Sequence, residues 1–124
     1  MTDLEQAQKA GVAPWDNLET QDANIAIYRD KYPVNPGHLL YVPKHNTDRV
    51  ISDCFVTALS HGRAMVKDGK WDGFNIGINI NRVAGQTVMY PHVHLIPRFD
   101  GDCEDPVGGV RNVIPGKGNY HKTT

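Results

Sequence analysis

The chain has 124 residues, 13 Lys and Arg against 14 Asp and Glu, a formal net charge of −1, and 40% hydrophobic residues. That length suits one domain with a core of its own, and the composition lies far from that of disordered chains. A near-neutral balance argues against nucleic-acid binding through a broad basic face, which needs clustered Lys and Arg.

The run Asp3 to Ala10 reads as a short helix, stopped by Gly11 and Pro14. Asn24 to Tyr28 reads as a strand. After the turn-forming stretch Tyr32-Pro33-Val34-Asn35-Pro36-Gly37, His38 to Val42 reads as its hairpin partner. Asn46, Thr47 and Asp48 offer capping oxygens for a long helix, in which Ile51, Phe55, Ala58, Leu59, Met65 and Val66 recur at helical spacing; Gly69 ends it. Phe74 to Ile80 alternates as a half-buried strand, and two shorter strands are expected at Gln86 to Met89 and His92 to Ile96, with Pro91 between them. From about residue 99 onward Gly and Pro recur, and a loop-like tail is expected. These elements predict a single α+β domain over 1–124, with an antiparallel sheet of about five strands, one long helix and a short amino-terminal helix.

Cys54 and Cys103 stand far apart without a C-x-x-C spacing, so neither a disulfide framework nor a thiolate zinc site is expected. No apolar run reaches the ~18 residues of a membrane span, and the first residues lack the basic and apolar pattern of a secretion signal. A cytoplasmic protein without a membrane partner is therefore expected.

Of six histidines, His92 and His94 sit two apart in a strand-like run, which places both rings on one face and Val93 and Leu95 on the other. Gly85-Gln86-Thr87 precedes them, with a glycine for close backbone approach and two hydrogen-bonding side chains suited to an anion. Three readings of the pair stand open on spacing alone: satisfied structural histidines, a metal site completed by His38 or Asp30, and nucleophilic catalysis at phosphorus.

The stretch Gly85-Gln86-Thr87-Val88-Met89-Tyr90-Pro91-His92-Val93-His94-Leu95-Ile96-Pro97-Arg98 resembles the signature of the histidine triad superfamily. Asp30 to Lys44 resembles that family's upstream block, in the same order, and Gly108 to Pro115 resembles the tail of bacterial diadenosine tetraphosphate hydrolase-like members. The departure is Tyr90, which stands where the family has its first triad histidine. The resemblance implies a covalent nucleotidyl intermediate on His92, a phosphate contact or proton donor at His94, and a supporting role for His38. It further implies that Thr87 and the amides of residues 85–88 stabilise phosphoryl oxygens, with Gln86 as an accessory contact and Tyr90 among the nucleotide- or phosphate-binding residues. Asp30 corresponds to the ribose-binding acid and Asn79 to a ribose or phosphate contact.

On this resemblance the protein is expected to be a nucleotide hydrolase or nucleotidyl transferase acting on nucleoside polyphosphates, dinucleoside polyphosphates or phosphoramidates. The alternative is a nucleotide-binding module with little turnover, because a phenol at position 90 does not titrate as an imidazole does. A homodimer is expected, with no required cofactor and no protein-bound metal; a divalent cation such as magnesium would enter with a polyphosphate. The family's frequent amino-terminal Cys-x-x-Cys zinc element has no counterpart here. His45, His61, His121, Trp15 and Trp71 carry no expected role.

Overall fold

A computed structural model describes residues 1–121. Helix α1 (Asp3–Lys9) begins where expected because Thr2 and Glu5 form a reciprocal capping box. The chain then enters strand β1 (Leu18–Gln21), which pairs antiparallel with β2 (Ile25–Arg29). The Asp22 carboxylate closes the turn between them by accepting the amides of Asn24 and Ile25. Strand β3 (Leu39–Pro43) comes next, paired with β2 so that Arg29 faces Leu39. This hairpin agrees with the sequence reading, one residue later at each end.

Helix α2 (Asp48–Lys67) is capped by Thr47, whose hydroxyl accepts the Val50 amide. Gly62 of this helix faces the Phe74 ring so closely that a Cβ there would sit 2.8 Å from it, so the missing side chain brings helix and sheet together. Strands β4 (Gly73–Ile78) and β5 (Val93–Arg98) pair with each other, and β5 lies between β3 and β4 in the order β1-β2-β3-β5-β4. The sheet has five antiparallel strands, the expected number, with two differences in membership. β1 is not among the expected strands, and Gln86 to Met89 forms no strand.

Residues 81–92 form a loop instead, because Gln86 bridges it internally. Its Oε1 accepts the Asn81 amide at 2.7 Å, its Nε2 donates to the Val88 carbonyl at 3.0 Å and its own amide donates to the Asn81 carbonyl at 3.2 Å, which closes the stretch on itself with no neighbouring strand. Beyond Arg98 the expected tail contains a short 3₁₀ turn, Gly109–Val113. Its last three residues lie outside the described part.

The two faces of the sheet differ. One packs Ile25, Leu39, Tyr41, Val93 and Leu95 against Cys54 and Ala58 of α2, with Trp71. The other packs Ala26, Tyr28, Leu40, Val42 and Tyr90 against Leu4 of α1 and Ala13. This second cover is shorter than the sheet, and the histidines occupy the part that α1 leaves open.

Candidate active site

Alternation along β5 sends Val93 and Leu95 into the α2 core and turns His94 to the opposite face; His92, just before the strand, shares that face. A cavity of about 780 Å³ opens there, lined by His92, His94, Asp30, Asn79, Thr87 and Leu40 among others. This volume lies in the range of small-molecule sites. Asp30 lies just after β2 and His38 just before β3, and the backbone bond from the Asp30 amide to the His38 carbonyl (3.1 Å) keeps the two side by side.

The hydrogen bonds assign the ring protons of His38, His92 and His94. His92 Nδ1 lies 2.9 Å from the Tyr90 carbonyl, which only accepts, so Nδ1 carries the proton and Nε2 keeps its lone pair. His38 has the opposite arrangement, because its Nδ1 accepts the Val34 amide at 3.1 Å and its proton therefore sits on Nε2. That Nε2–H is 2.9 Å from His94 Nδ1 and 3.4 Å from Asp30 Oδ2. His94 is thus an acceptor at Nδ1 and a donor at Nε2. Among the described residues neither His92 Nε2 nor His94 Nε2 has a protein partner, and no buried side-chain nitrogen is left unpaired, so both atoms open onto the cavity. The site offers one lone pair and one donor side by side, with ring centroids 5.1 Å apart.

Burial holds these rings neutral. It lowers the His38 and His92 pKa against the opposing pull of Asp30, which for His92 is joined by the Tyr90 carbonyl. His94 is pushed down to about 4, by burial first and then by the neighbouring imidazoles.

Asp30, His38 and His94 also place one ligand atom each within 4.8 Å of one another, the one such group among the described residues. They do not fit a metal as bonded. A ligating imidazole turns a lone pair to the ion and donates its other N–H to a carbonyl or carboxylate, whereas His38 Nδ1 receives a backbone N–H and its Nε2 carries the proton. The cluster is a hydrogen-bond relay.

Thr87 is exposed on the cavity, and its amide and that of Val88 donate to no group among the described residues. Asn79, directly after β4, also lines it. Two expected contacts lie elsewhere. Gln86 uses both ends of its amide inside the loop, and buried Tyr90 donates its hydroxyl to the Pro43 carbonyl at 2.5 Å, beneath α1. Tyr90 therefore reaches the site through its carbonyl on His92, and its ring braces the far side. His38 stands behind His94, at one remove from the cavity.

Trp15 has a place that its sequence context did not signal. Its ring lies edge-on to His92 with centroids 4.9 Å apart, leans on Tyr28 and Tyr90, and lines the cavity. A lone Trp between Pro14 and Asp16 belongs to no pattern, so only the three-dimensional arrangement shows this.

The sheet, the loop before β5 and the paired histidines are those of the histidine triad, and residues 16–101 match the HIT domain family. The chain belongs to the HIT family. It is 38% identical over 100 residues to an uncharacterised HIT-like protein of Methanocaldococcus jannaschii, covering 75% of this chain and 78% of that one. It is 33% identical over 94 residues to the AP-4-A phosphorylase of Mycobacterium tuberculosis, covering 68% of this chain but 48% of the phosphorylase, about half its length. A zinc-bound histidine triad family protein from Mycobacterium smegmatis superposes with a TM-score of 0.64 at 29% identity, over 75% of this chain and 74% of that one.

Proposed function

We propose that this chain is a nucleotide hydrolase or nucleotidyl transferase acting at the α-phosphate of nucleoside polyphosphates, dinucleoside polyphosphates among them, or phosphoramidates. The observation that carries this reading is the free Nε2 of His92, whose lone pair is fixed by the Nδ1–H bond to the Tyr90 carbonyl. In the first step Nε2 attacks the α-phosphorus; an N–P bond forms as the bond to the leaving group breaks, and its electron pair departs with that group. In the second step water attacks the same phosphorus, the N–P bond breaks, the pair returns to Nε2 and water's proton passes to solvent.

The Nε2–H of His94, the Thr87 hydroxyl and the amides of Thr87 and Val88 supply donors to the non-bridging oxygens as charge grows there. A neutral His94 is a strong hydrogen-bond donor and a weak acid, so the site favours leaving groups that depart as stable anions, such as a nucleotide or polyphosphate, over amines that need a proton. Asp30 is the acceptor for ribose hydroxyls, and Asn79 a ribose or phosphate contact. Trp15 and Leu40 give the cavity the apolar walls that a base requires.

No protein-bound metal enters these steps; a divalent cation such as magnesium would arrive on a polyphosphate and screen its charge. The reading includes a cytoplasmic location and a homodimer; the homodimer is supported by β4, a sheet edge with no strand on its outer side among the described residues. The second reading, a nucleotide-binding module with little turnover, rests on Tyr90. The buried bond from its hydroxyl to Pro43 counts against it, because the phenol replaces nothing on the cavity side.

Incubation with diadenosine tetraphosphate and with adenosine phosphoramidate, followed by chromatography, tests the proposal. AMP release by the parent and not by His92→Ala is expected, faster from the tetraphosphate. Binding of AMP without release of product from either compound would favour the binding module.

A further inference from the structure

The relay from Val34 through His38 to His94 depends on where one backbone amide sits, and a second set of bonds fixes that amide. Val34 belongs to the turn between β2 and β3, and the next residue, Asn35, ties the turn to the far end of β5. The two N–H groups of the Asn35 side chain serve the Pro97 carbonyl at 2.9 Å and Asp102 Oδ2 at 2.8 Å. The Asn35 carbonyl accepts the His38 amide at 3.2 Å, so the clamp and the histidine share one turn.

Asp102 is in turn gripped from β5. Arg98 donates Nε to Oδ2 and Nη2 to Oδ1, each at 2.8 Å, and the Phe99 amide adds a third bond at 3.0 Å. Arg98 is held on its other side by Asn75 of β4 at 2.8 Å. The fork-to-fork geometry fixes direction as well as distance. Gly37, with φ +94°, completes the turn where any side chain would meet Pro97.

We infer that Asn35, held by Asp102 and Arg98, is a positioning residue for the site: it fixes the turn whose Val34 amide sets the proton on His38 Nε2 and, through His38, the donor at His94 Nε2. The strand that carries His94 and the turn that orients its partner are thereby locked to each other at a point outside the cavity. The segment after β5 acquires a role in the chemistry without touching substrate. Released from the clamp, the turn no longer presents the Val34 amide to His38 Nδ1, both imidazoles exchange between tautomers, and His94 offers the cavity a lone pair for part of the time. That lone pair faces phosphate oxygen, where a donor is needed.

The kinetic arm of the test rests on the nucleotidyl-transfer reading; the spectroscopic arm does not. Nitrogen-15 NMR of the imidazoles reports directly which ring nitrogen bears each proton. In the parent protein we expect Nδ1 unprotonated in His38 and His94 and protonated in His92. Asn35→Asp, which turns a donor into a carboxylate facing Asp102, and the milder Asn35→Ala, which serves should the first fail to fold, are expected to collapse the His38 and His94 pattern and leave His92 unchanged. With diadenosine tetraphosphate, kcat is expected to fall about ten- to a hundredfold while KM stays within about threefold, the signature of displaced geometry with binding retained. Asp22→Ala, which loosens the β1–β2 turn at the other end of the sheet, controls for general destabilisation and is expected to leave all three rings as they are. A parent His38 protonated at Nδ1, or an unchanged His38 and His94 pattern in the folded Asn35 variants, would overturn the inference whatever the kinetics. No turnover by the parent would refute the nucleotidyl-transfer reading alone.

Discussion

Two hydrogen-bonded pairs, one tyrosine with histidine and one of two histidines, face opposite sides of one sheet. On the side of α2, His61 shares a 2.6 Å hydrogen bond with Tyr41, a fully buried phenol of β3 whose pKa burial raises. On the other side, His38 and His94 share a bond of 2.9 Å. The contacts are alike in chemistry and differ in where they lead. The Tyr41–His61 bond satisfies a buried hydroxyl, with the His61 ring against Trp71, whereas the His38–His94 bond passes a proton arrangement from a backbone amide to an atom that opens on a cavity. His61 and His94 each leave one ring nitrogen without a protein partner among the described residues; His94 becomes the candidate for chemistry because its free nitrogen opens on the cavity.

Substitutions at the two pairs break the comparison most strongly. His94→Ala is expected to lower turnover by about 10²–10³-fold, the cost of one donor at developing charge, with the fold retained; steady-state kinetics and circular dichroism check this. His61→Ala is expected to leave turnover near that of the parent and to cost about 1–3 kcal/mol of stability, because the Tyr41 hydroxyl is left buried without a partner. Equal effects of both on activity would erase the distinction.

A smaller effect sharpens the account of Tyr90, whose pKa is pushed up to about 12, mainly by burial, so that it stays a neutral donor. Tyr90→Phe is expected to cost about 1–2 kcal/mol in denaturant unfolding, from the unmet Pro43 carbonyl, with kcat within a fewfold of the parent. A further effect is on pH. His94 has its folded pKa pushed down to about 4 against about 6.5 unfolded, so the unfolded chain binds more protons between those values. Its contribution to stability is complete above about pH 6.5, drains as pH falls and levels off below about 4; the lowered pKa values of His38 and His92 add in the same direction. Melting temperatures across that window are expected to decline less steeply in His94→Gln.

The local features were legible in the sequence. The helix cap at Thr47, the apolar runs of β2 and β3, the alternation of β4 and the pairing of His92 with His94 on one face are each written within a few residues. β1 was hidden because all four of its residues are exposed, which leaves no alternation to read. Gln86 to Met89 reads as a strand because its composition suits one, but the Gln86 side chain folds the stretch onto Asn81 and Val88, and the Thr87 and Val88 amides are left facing the cavity and not a neighbouring strand. The roles of Asn35 and His38 come from bonds to residues 56 to 67 positions away, which no local pattern encodes. Placing Tyr90 in the phosphate site rests on its position in the signature, and its burial under α1 shows that a shared position does not imply a shared direction.

The central claim is that His92 Nε2 becomes bonded to phosphorus. Intact-mass and peptide-level spectrometry after rapid quenching of the protein with diadenosine tetraphosphate tests it most directly. The account predicts a transient adenylyl adduct on His92, linked through Nε2 and absent from His92→Ala. AMP formation at the parent rate without such an adduct, or an adduct on another residue, would contradict it.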